Sequence, residues 1–223
     1  MSHIQEEIQS IKAGLPEGVR LVAVSKFHPI EALQDAYDGG QRIFGESKVQ
    51  EMTQKYEALP KNIEWHFIGH LQTNKIKYMA SYVALIHGVD SYKLLAEINK
   101  QAAKARRIIP CLLQIHIAQE ETKFGFSTEE CRAMLEEGQW RQLDHVQIAG
   151  VMGMATNTED EAQIKREFST LSAFFQEVKE TYFREVSSFK EISMGMSDDY
   201  PIAIEEGSTL IRIGSRIFGA RNY

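Results

Sequence analysis

A lysine follows a short apolar run near the start of the chain. Residues 21–24 read Leu-Val-Ala-Val, and Ser25 and Lys26 come directly after them. Four apolar residues in a row, two of them β-branched, predict a strand that is buried on both faces. Lys26 then lies at the carboxyl end of that strand, where burial would lower its pKa and free a neutral amine that attacks carbonyl groups. The alternative is a lysine that extends its charged end into solvent.

Small residues and hydroxyl groups follow two apolar runs near the other end of the chain. Ser193 and Gly195 belong to the first of these stretches, and Arg212, Gly214 and Ser215 belong to the second. A glycine lets backbone N–H groups come close to an anion, and the two serines offer hydroxyl donors. A helix that begins after Gly214 would add the positive end of its dipole. These stretches therefore predict a phosphate-binding site.

Apolar segments alternate with amphipathic segments along the chain, a pattern that is typical of strand–helix repeats. The predicted strands cover residues 21–26, 42–46, 64–69, 83–87, 111–117, 146–152, 191–195 and 209–214. This number of repeats closes a parallel barrel, so we expect one (β/α)8 TIM barrel over residues 1–223, with an extra helix within residues 1–14. The structural alternative is an open doubly wound sheet, but no dinucleotide-type glycine motif follows the first predicted strand.

The expected barrel brings the lysine and the phosphate-binding stretches together. Ligands of such barrels lie at the carboxyl ends of the strands, and phosphate is often bound after the last two strands. Lys26, Ser193 and Gly214 all lie at that end of their predicted strands. An amine for a Schiff base and donors for a phosphate are what pyridoxal 5′-phosphate requires. His87 ends the fourth predicted strand at the same rim, either beside the cofactor or as a hydrogen-bonded core histidine.

Composition argues against several other classes of protein. The 223 residues carry a net charge of −6, with 25 Lys and Arg against 31 Asp and Glu, so we expect no nucleic-acid partner. No apolar stretch approaches the roughly 18 residues of a membrane span, and residues 1–14 are amphipathic, unlike a signal peptide. Cys111 and Cys131 lack the spacing of a metal or redox site. We therefore expect a cytoplasmic protein with reduced thiols.

Two further pairs of residues have spacings that occur in active sites. His66 and His70 are four apart, as metal ligands on a helix can be, but residues 67–69 between them predict a strand and its loop. A structural or cofactor-lining histidine is the preferred interpretation. Asp198 and Asp199 resemble a carboxylate pair, and we expect them instead to be charges at the amino end of a helix.

Long motifs of the chain resemble one known family and occur in that family's order. They cover residues 22–26, 44–46, 65–69, 71–72, 74–75, 193–198, 207–209, 212–214 and 217–221. In these motifs the sequence is similar to the pyridoxal phosphate homeostasis proteins (the YggS/PROSC family), and the match covers nearly the whole chain. The resemblance implies a barrel like the N-terminal domain of alanine racemase, with pyridoxal phosphate as the cofactor.

The resemblance also implies roles for individual residues. Lys26 is then the Schiff-base lysine, and Arg212 faces the pyridine nitrogen. Ser193, Gly214 and Ser215 hold the phosphate; the family more often has threonine at Ser215, and either hydroxyl can donate. A guanidinium disfavours protonation of the pyridine nitrogen, so the cofactor ring becomes a weaker electron sink.

Efficient racemisation also needs a second base, which in alanine racemases is a tyrosine from a separate C-terminal domain. Tyr223 ends this chain just after the last predicted barrel unit, so we expect no such domain. We therefore expect a non-catalytic protein that buffers or delivers the cofactor, with pyridoxal phosphate-dependent apo-enzymes as candidate recipients. We also expect a monomer. The alternatives are an amino-acid racemase or lyase that uses the same lysine, and an aldolase barrel that uses no cofactor.

Overall fold

The chain folds into a closed barrel of eight parallel strands surrounded by helices. The computed structural model describes residues 1–121 and 124–220. The strands are β1 (Arg20–Val24), β2 (Ile43–Glu46), β3 (Glu64–Phe67), β4 (Leu85–Val89), β5 (Ile109–Gln114), β6 (Val146–Met152), β7 (Glu191–Ser193) and β8 (Leu210–Ile213). The α-helices are α1 (His3–Ala13), α2 (Ile30–Asp38), α3 (Val49–Ala58), α4 (Tyr92–Lys104), α5 (Thr128–Glu137), α6 (Glu161–Tyr182), α7 (Tyr200–Glu205) and α8 (Ser215–Phe218). Strand β8 pairs with β1, which confirms the predicted (β/α)8 barrel and its extra N-terminal helix.

The barrel interior combines apolar and polar side chains. Successive residues of a strand point to opposite faces of the sheet, so every second residue faces the interior. The apolar interior cluster consists of Val22, Ile43, Leu85, Leu112, Ala149, Met152 and Leu210. Strands β3 and β7 instead turn the buried polar residues His66 and Ser193 inward. The interior is therefore packed, and it also contains hydrogen-bonding groups.

The larger hydrophobic core lies between the outer face of the barrel and the helices. Helix α6, the longest, places its apolar side on the barrel through Ile164, Phe168, Leu171, Phe174, Phe175 and Val178. This agrees with the helical spacing of those residues in the sequence. In the ranges that the structure describes, no helix has the length and apolar character that crossing a membrane requires.

Helix α1 connects the helices that follow β1 and β8. The side-chain amide of Gln5 donates to the carboxylate of Asp35 on α2 over 2.8 Å. On the other side, Arg216 of α8 donates to Glu7 over 3.0 Å. Helix α1 thus joins the β8–α8 unit to the β1–α2 unit, whose connecting loop carries Lys26.

Several element boundaries differ from the predicted ones. Strand β1 ends at Val24, so Lys26 lies in the loop after the strand. Strand β7 ends at Ser193, because Gly195 has a φ of 99° that a strand does not accommodate. His87 lies in the middle of β4 and not at its end, because the strand continues until Val89 pairs with β5. A 3₁₀ helix at Thr73–Tyr78 follows β3.

Candidate functional site

The loop after β1 holds Lys26 between two anchored neighbours. Ser25 is fully buried, and its hydroxyl donates to the carboxylate of Glu46 on β2 over 2.6 Å. The backbone N–H of Phe27 donates to the carboxylate of Glu51 on α3, also over 2.6 Å. Phe27 has a left-handed φ of 67°, which is strained for a bulky residue and is kept only where the surroundings enforce it. Acidic side chains of the next strand–helix unit therefore fix both neighbours of Lys26.

A buried lysine, Lys55 of α3, connects those two acids. Its ammonium group donates to Glu46 and to Glu51 over 2.7 Å each, and to the backbone oxygen of Ser25 over 2.8 Å. Burial raises the pKa of Glu46 to about 7, because the loss of hydration outweighs the attraction of Lys55. The second carboxylate oxygen of Glu46 is buried without a hydrogen-bond partner among the described residues. We call Ser25, Glu46, Glu51 and Lys55 the loop network.

Four buried polar side chains form a hydrogen-bonded series through the barrel, which we call the interior chain. Arg212 of β8 donates to the hydroxyl of Ser193 on β7 over 2.5 Å. The same hydroxyl lies 2.8 Å from Nδ1 of His87 on β4. Nε2 of His87 lies 2.9 Å from Nδ1 of His66 on β3. All four side chains are at least nine-tenths buried, so the interior chain links strands on different sides of the barrel.

The protons of the interior chain follow from its chemistry. Burial lowers the pKa of His66 to about 3 and that of His87 well below its ordinary value, so both rings are neutral near pH 7. Arg212 can only donate, so the Ser193 oxygen accepts from it. The hydroxyl proton of Ser193 then goes to its other partner, Nδ1 of His87. His87 then carries its own proton on Nε2 and donates it to Nδ1 of His66. The remaining ring proton of His66 is consequently on Nε2.

Two hydroxyl groups meet where β7 and β8 end. Ser215 is the first residue of α8, and its hydroxyl lies 3.2 Å from that of Ser197. Gly214 precedes it; a Cβ atom there would lie 3.0 Å from the backbone oxygen of Val24, so a side chain would crowd β1. Gly195 has a positive φ, and a Cβ atom there would lie 2.7 Å from that of Ala203. Glycine at these two positions therefore lets the backbone beside the hydroxyl pair pack closely against β1 and α7.

The six site residues named from the sequence fall into two groups. Those at the carboxyl rim are Lys26, Gly214 and Ser215. Those in the barrel interior are His87, Ser193 and Arg212. The structure therefore brings each group together, but the hydroxyl of Ser193 already bonds two protein partners, whereas those of Ser197 and Ser215 face each other at the rim.

The residues that support the lysine loop had no assigned role in the sequence analysis. Lys55 carries a detectable signal, because it follows Met52 by three residues and precedes Leu59 by four, and both of these are buried. A charged residue thus occupies an apolar position of an amphipathic helix. Glu46 ends a strand that is buried at every position. Ser197 belongs to a family motif, but only the barrel geometry shows that it faces Ser215.

The remaining flagged residues have structural surroundings. His70 stacks on Phe124 with ring centroids 4.1 Å apart and lies 3.6 Å from Asp90, while His66 belongs to the interior chain. Across residues 1–121 and 124–220, no group of three or more His, Cys, Asp or Glu side chains is arranged to hold a metal ion. Asp199 precedes α7, and its carboxylate accepts from the backbone N–H of residue 196 over 2.6 Å.

The polar groups at the carboxyl rim, together with Arg212 of the interior chain, suit one kind of ligand. Lys26 offers an amine that condenses with an aldehyde. Gly214 and the hydroxyls of Ser197 and Ser215 offer donors for a phosphate. Arg212 offers a cationic donor for a ring nitrogen. An aldehyde, a phosphate and an aromatic nitrogen are three of the polar groups of pyridoxal phosphate, so the residues present fit that cofactor.

Comparison with known proteins gives full-length matches. The model of the family "alanine racemase, N-terminal domain" matches residues 1–222. A pyridoxal phosphate homeostasis protein of Aquifex aeolicus is 37% identical over 227 residues, which cover 100% of this chain and 97% of that protein. One of Schizosaccharomyces pombe is 34% identical over 98% of this chain and 90% of that protein.

Solved structures agree with these matches. PipY of Synechococcus elongatus PCC7942, solved without pyridoxal phosphate, aligns with a TM-score of 0.91 and 36% identity over 97% of this chain and 100% of PipY. The form with bound pyridoxal phosphate aligns with a TM-score of 0.87 over the same shares. An alanine racemase of Clostridium difficile aligns with a TM-score of 0.76 over 99% of this chain and 57% of the racemase at 12% identity, which shows a shared fold alone. The chain thus belongs to the pyridoxal phosphate homeostasis protein family, which has the fold of the alanine racemase N-terminal domain.

Proposed function

We propose that this chain binds pyridoxal 5′-phosphate at the carboxyl rim of its barrel and takes part in pyridoxal phosphate homeostasis by holding and delivering the cofactor. One observation carries the proposal: the loop of Lys26 and the paired hydroxyls of Ser197 and Ser215 follow the adjacent strands β1, β7 and β8. The names of full-length relatives and the pyridoxal phosphate-bound form of PipY support it.

Lys26 is the proposed attachment point. Its amine would condense with the cofactor aldehyde and release water, giving a Schiff base. When bound, pyridoxal phosphate supplies a ring that withdraws electrons from groups attached at its aldehyde carbon. The loop network contributes by fixing the backbone on both sides of Lys26 through Glu46 and Glu51.

The phosphate contacts are assigned to the ends of β7 and β8. Gly214 and Ser215 supply a backbone N–H and a hydroxyl, and Ser197 joins them because its hydroxyl lies 3.2 Å from that of Ser215. Ser193 remains a proposed phosphate ligand. It also links Arg212 to His87, because its hydroxyl bonds both side chains. His87 in turn orients Ser193 from the interior.

The charge of Arg212 supports the proposal that this chain binds the cofactor without catalysing a reaction on it. Burial lowers the pKa of its guanidinium to about 10, so the group still carries a positive charge near pH 7. That charge opposes protonation of a pyridine nitrogen beside it and weakens the ring as an electron sink. The neutral rings of His66 and His87 have strongly lowered pKa values and are weak proton acceptors.

We also propose the domain organisation of the chain, its location in the cell and its partners. All of these groups lie on one barrel, so we treat residues 1–223 as a single cofactor-binding domain. Cys111 and Cys131 are buried free thiols, which fits a protein of the cytoplasm. We propose that the chain works there as a monomer. Apo-enzymes that require pyridoxal phosphate are the proposed recipients of the cofactor.

The first test is the visible absorption spectrum of the purified protein before and after treatment with borohydride. We expect a yellow band that borohydride removes, with the reduced pyridoxyl group found on Lys26 by mass spectrometry. The Lys26→Ala variant should lack that band, whereas Lys48→Ala, which removes a lysine 4.9 Å from the ring of Phe27, should keep it. A protein that stays colourless with added pyridoxal phosphate would overturn the proposal and favour the cofactor-free aldolase.

A further inference from the structure

A cavity of about 520 Å³ lies at the amino-terminal end of the barrel, opposite the rim that carries Lys26. Arg20, Glu64 and Glu191, the first residues of β1, β3 and β7, contribute to its walls together with Lys190 and His66. Its volume falls within the range of small-molecule sites, which is roughly 300–1,000 Å³. None of these five side chains has a place in the proposed cofactor site, and only His66 belongs to the interior chain.

The charged groups of this cavity are only partly neutralised. Both carboxylate oxygens of Glu191 are bonded, one to Arg20 and one to Thr209, over 2.6 Å each. Within the described ranges, the carboxylate of Glu64 and the ammonium group of Lys190 have neither a hydrogen bond nor an ion pair. The cavity therefore offers one unpaired anion and one unpaired cation.

His66 adds a buried donor to the same cavity. Its Nδ1 atom is occupied by His87, which leaves the ring proton on Nε2. Nε2 has no hydrogen-bond partner among the described residues and is not one of the fully enclosed atoms, so it is open to the cavity although the residue as a whole is only 2% exposed. This N–H group can therefore donate to an acceptor that enters the cavity.

We propose that this cavity is a second ligand site, for a small zwitterion that carries a carboxylate and an ammonium group. The carboxylate binds the N–H of His66 together with Arg20 and Lys190, and the ammonium group binds Glu64. A plain carboxylate would meet the unpaired charge of Glu64, and a plain cation would meet Arg20 and Lys190. A zwitterion satisfies both sets of groups.

The interior chain connects this site to the cofactor end of the barrel. It runs from His66 through His87 and Ser193 to Arg212, and each member donates towards His66. An acceptor at His66 strengthens the donors behind it, since hydrogen bonds in series polarise one another. We therefore expect the zwitterion and pyridoxal phosphate to change each other's affinity by one common factor. This coupling rests on the proposed function, whereas binding at the cavity does not.

N,N-dimethylglycine is a suitable probe because it carries both charges but has no primary amine that could react with the cofactor. Calorimetric titration of the full chain loaded with pyridoxal phosphate should show saturable binding of this probe. Acetate, which has the carboxylate alone, should bind at least tenfold more weakly. Glu64→Gln should weaken binding of the probe at least tenfold, and Glu57→Gln, at an exposed glutamate of α3, should leave it unchanged. No saturable binding, or equal affinities of these two variants, overturns the site.

The coupling is read from the affinity for pyridoxal phosphate, measured by absorbance with and without saturating N,N-dimethylglycine. We expect a shift of roughly fivefold or more, the usual lower size of such couplings, and no shift in Glu64→Gln. An unchanged affinity in the wild type overturns the coupling. The same calorimetric titration without cofactor separates the two proposals. A chain that binds the probe but takes up no pyridoxal phosphate contradicts the proposed function and keeps the second site.

Discussion

Lys55 and Glu46 form a buried ion pair, with 2.7 Å between the ammonium nitrogen and the carboxylate oxygen, beside the loop that carries Lys26. Lys55 also donates to the backbone oxygen of Ser25, whose hydroxyl donates to Glu46. Buried ion pairs add little net stability, because the loss of hydration offsets most of their attraction. The contribution that we expect from this pair is therefore the fixed position of Lys26.

Replacing Lys55 by methionine should lower the free energy of unfolding by about 3 kcal/mol or more, because Glu46 is left as an unpaired buried acid. Urea unfolding at pH 8 measures the change. Lys104→Met, at an exposed lysine of α4, is the control and should have little effect. The double variant Glu46→Gln, Lys55→Met should recover part of the loss. Additive losses from the two substitutions would contradict the coupling between them.

The carboxyl group of Glu46 should make the stability of the fold fall as the pH rises. Its pKa is about 7 in the folded protein against 4.5 in the absence of burial. Between these values the folded state retains a proton that the unfolded state has lost, so the free energy of unfolding decreases with rising pH and levels off above about pH 7. The whole effect is on the order of 3 kcal/mol. Glu46→Gln removes the titrating group, so the wild type should lose stability relative to it across this window; a constant difference would contradict the assignment.

Local patterns in the sequence predicted the barrel because they reflect local requirements. Buried parallel strands need apolar runs, and the helices around them need one apolar side, as α6 shows with Phe168, Leu171 and Phe175. The same local patterns predicted that Lys26 comes after the first strand and that glycines come after β7 and β8. Strand ends were less predictable, because pairing with the neighbouring strand decides them, as for His87 in β4.

The interior chain could not be predicted, because it depends on how the barrel closes. His87 and Ser193 are 106 residues apart in sequence, and only the closed sheet places their side chains 2.8 Å from each other. The local sequence around His87 or Ser193 gives no indication of which residue will be its hydrogen-bond partner. The same holds for Ser197 and Ser215, which come from different strand–helix units.

Removing the hydroxyl of Ser193 should weaken both the fold and the binding of the cofactor. Ser193→Ala leaves a nitrogen of Arg212 and Nδ1 of His87 without their partner in a buried site. The expected loss of unfolding free energy is about 1–3 kcal/mol, the usual penalty for a buried group left unbonded. Urea unfolding measures it, with Ser10→Ala on the exposed side of α1 as the control. Two variants of equal stability would show that the interior chain has no such role.

The hydroxyl pair at the rim should matter only for ligands with a phosphate. Ser215→Ala and Ser197→Ala should each weaken the binding of pyridoxal phosphate by roughly tenfold, which corresponds to the loss of one hydrogen bond to a charged group. Binding of pyridoxal, which has the aldehyde and ring but no phosphate, should stay unchanged in both variants. Absorbance titration compares the two ligands. Equal losses for both would place the serines away from the phosphate.

Exchange of the α-hydrogen of amino acids distinguishes a cofactor carrier from an enzyme. In the proposed site, the charge of Arg212 would make the cofactor ring a weak electron sink, and the neutral rings of His87 and His66 are weak bases. We therefore expect that the loaded protein, incubated in heavy water with a panel of amino acids, exchanges their α-hydrogens no faster than free pyridoxal phosphate does. Proton NMR measures the exchange, and an alanine racemase in the same buffer is the positive control. Exchange well above the free cofactor would instead establish an amino-acid racemase or lyase that uses Lys26.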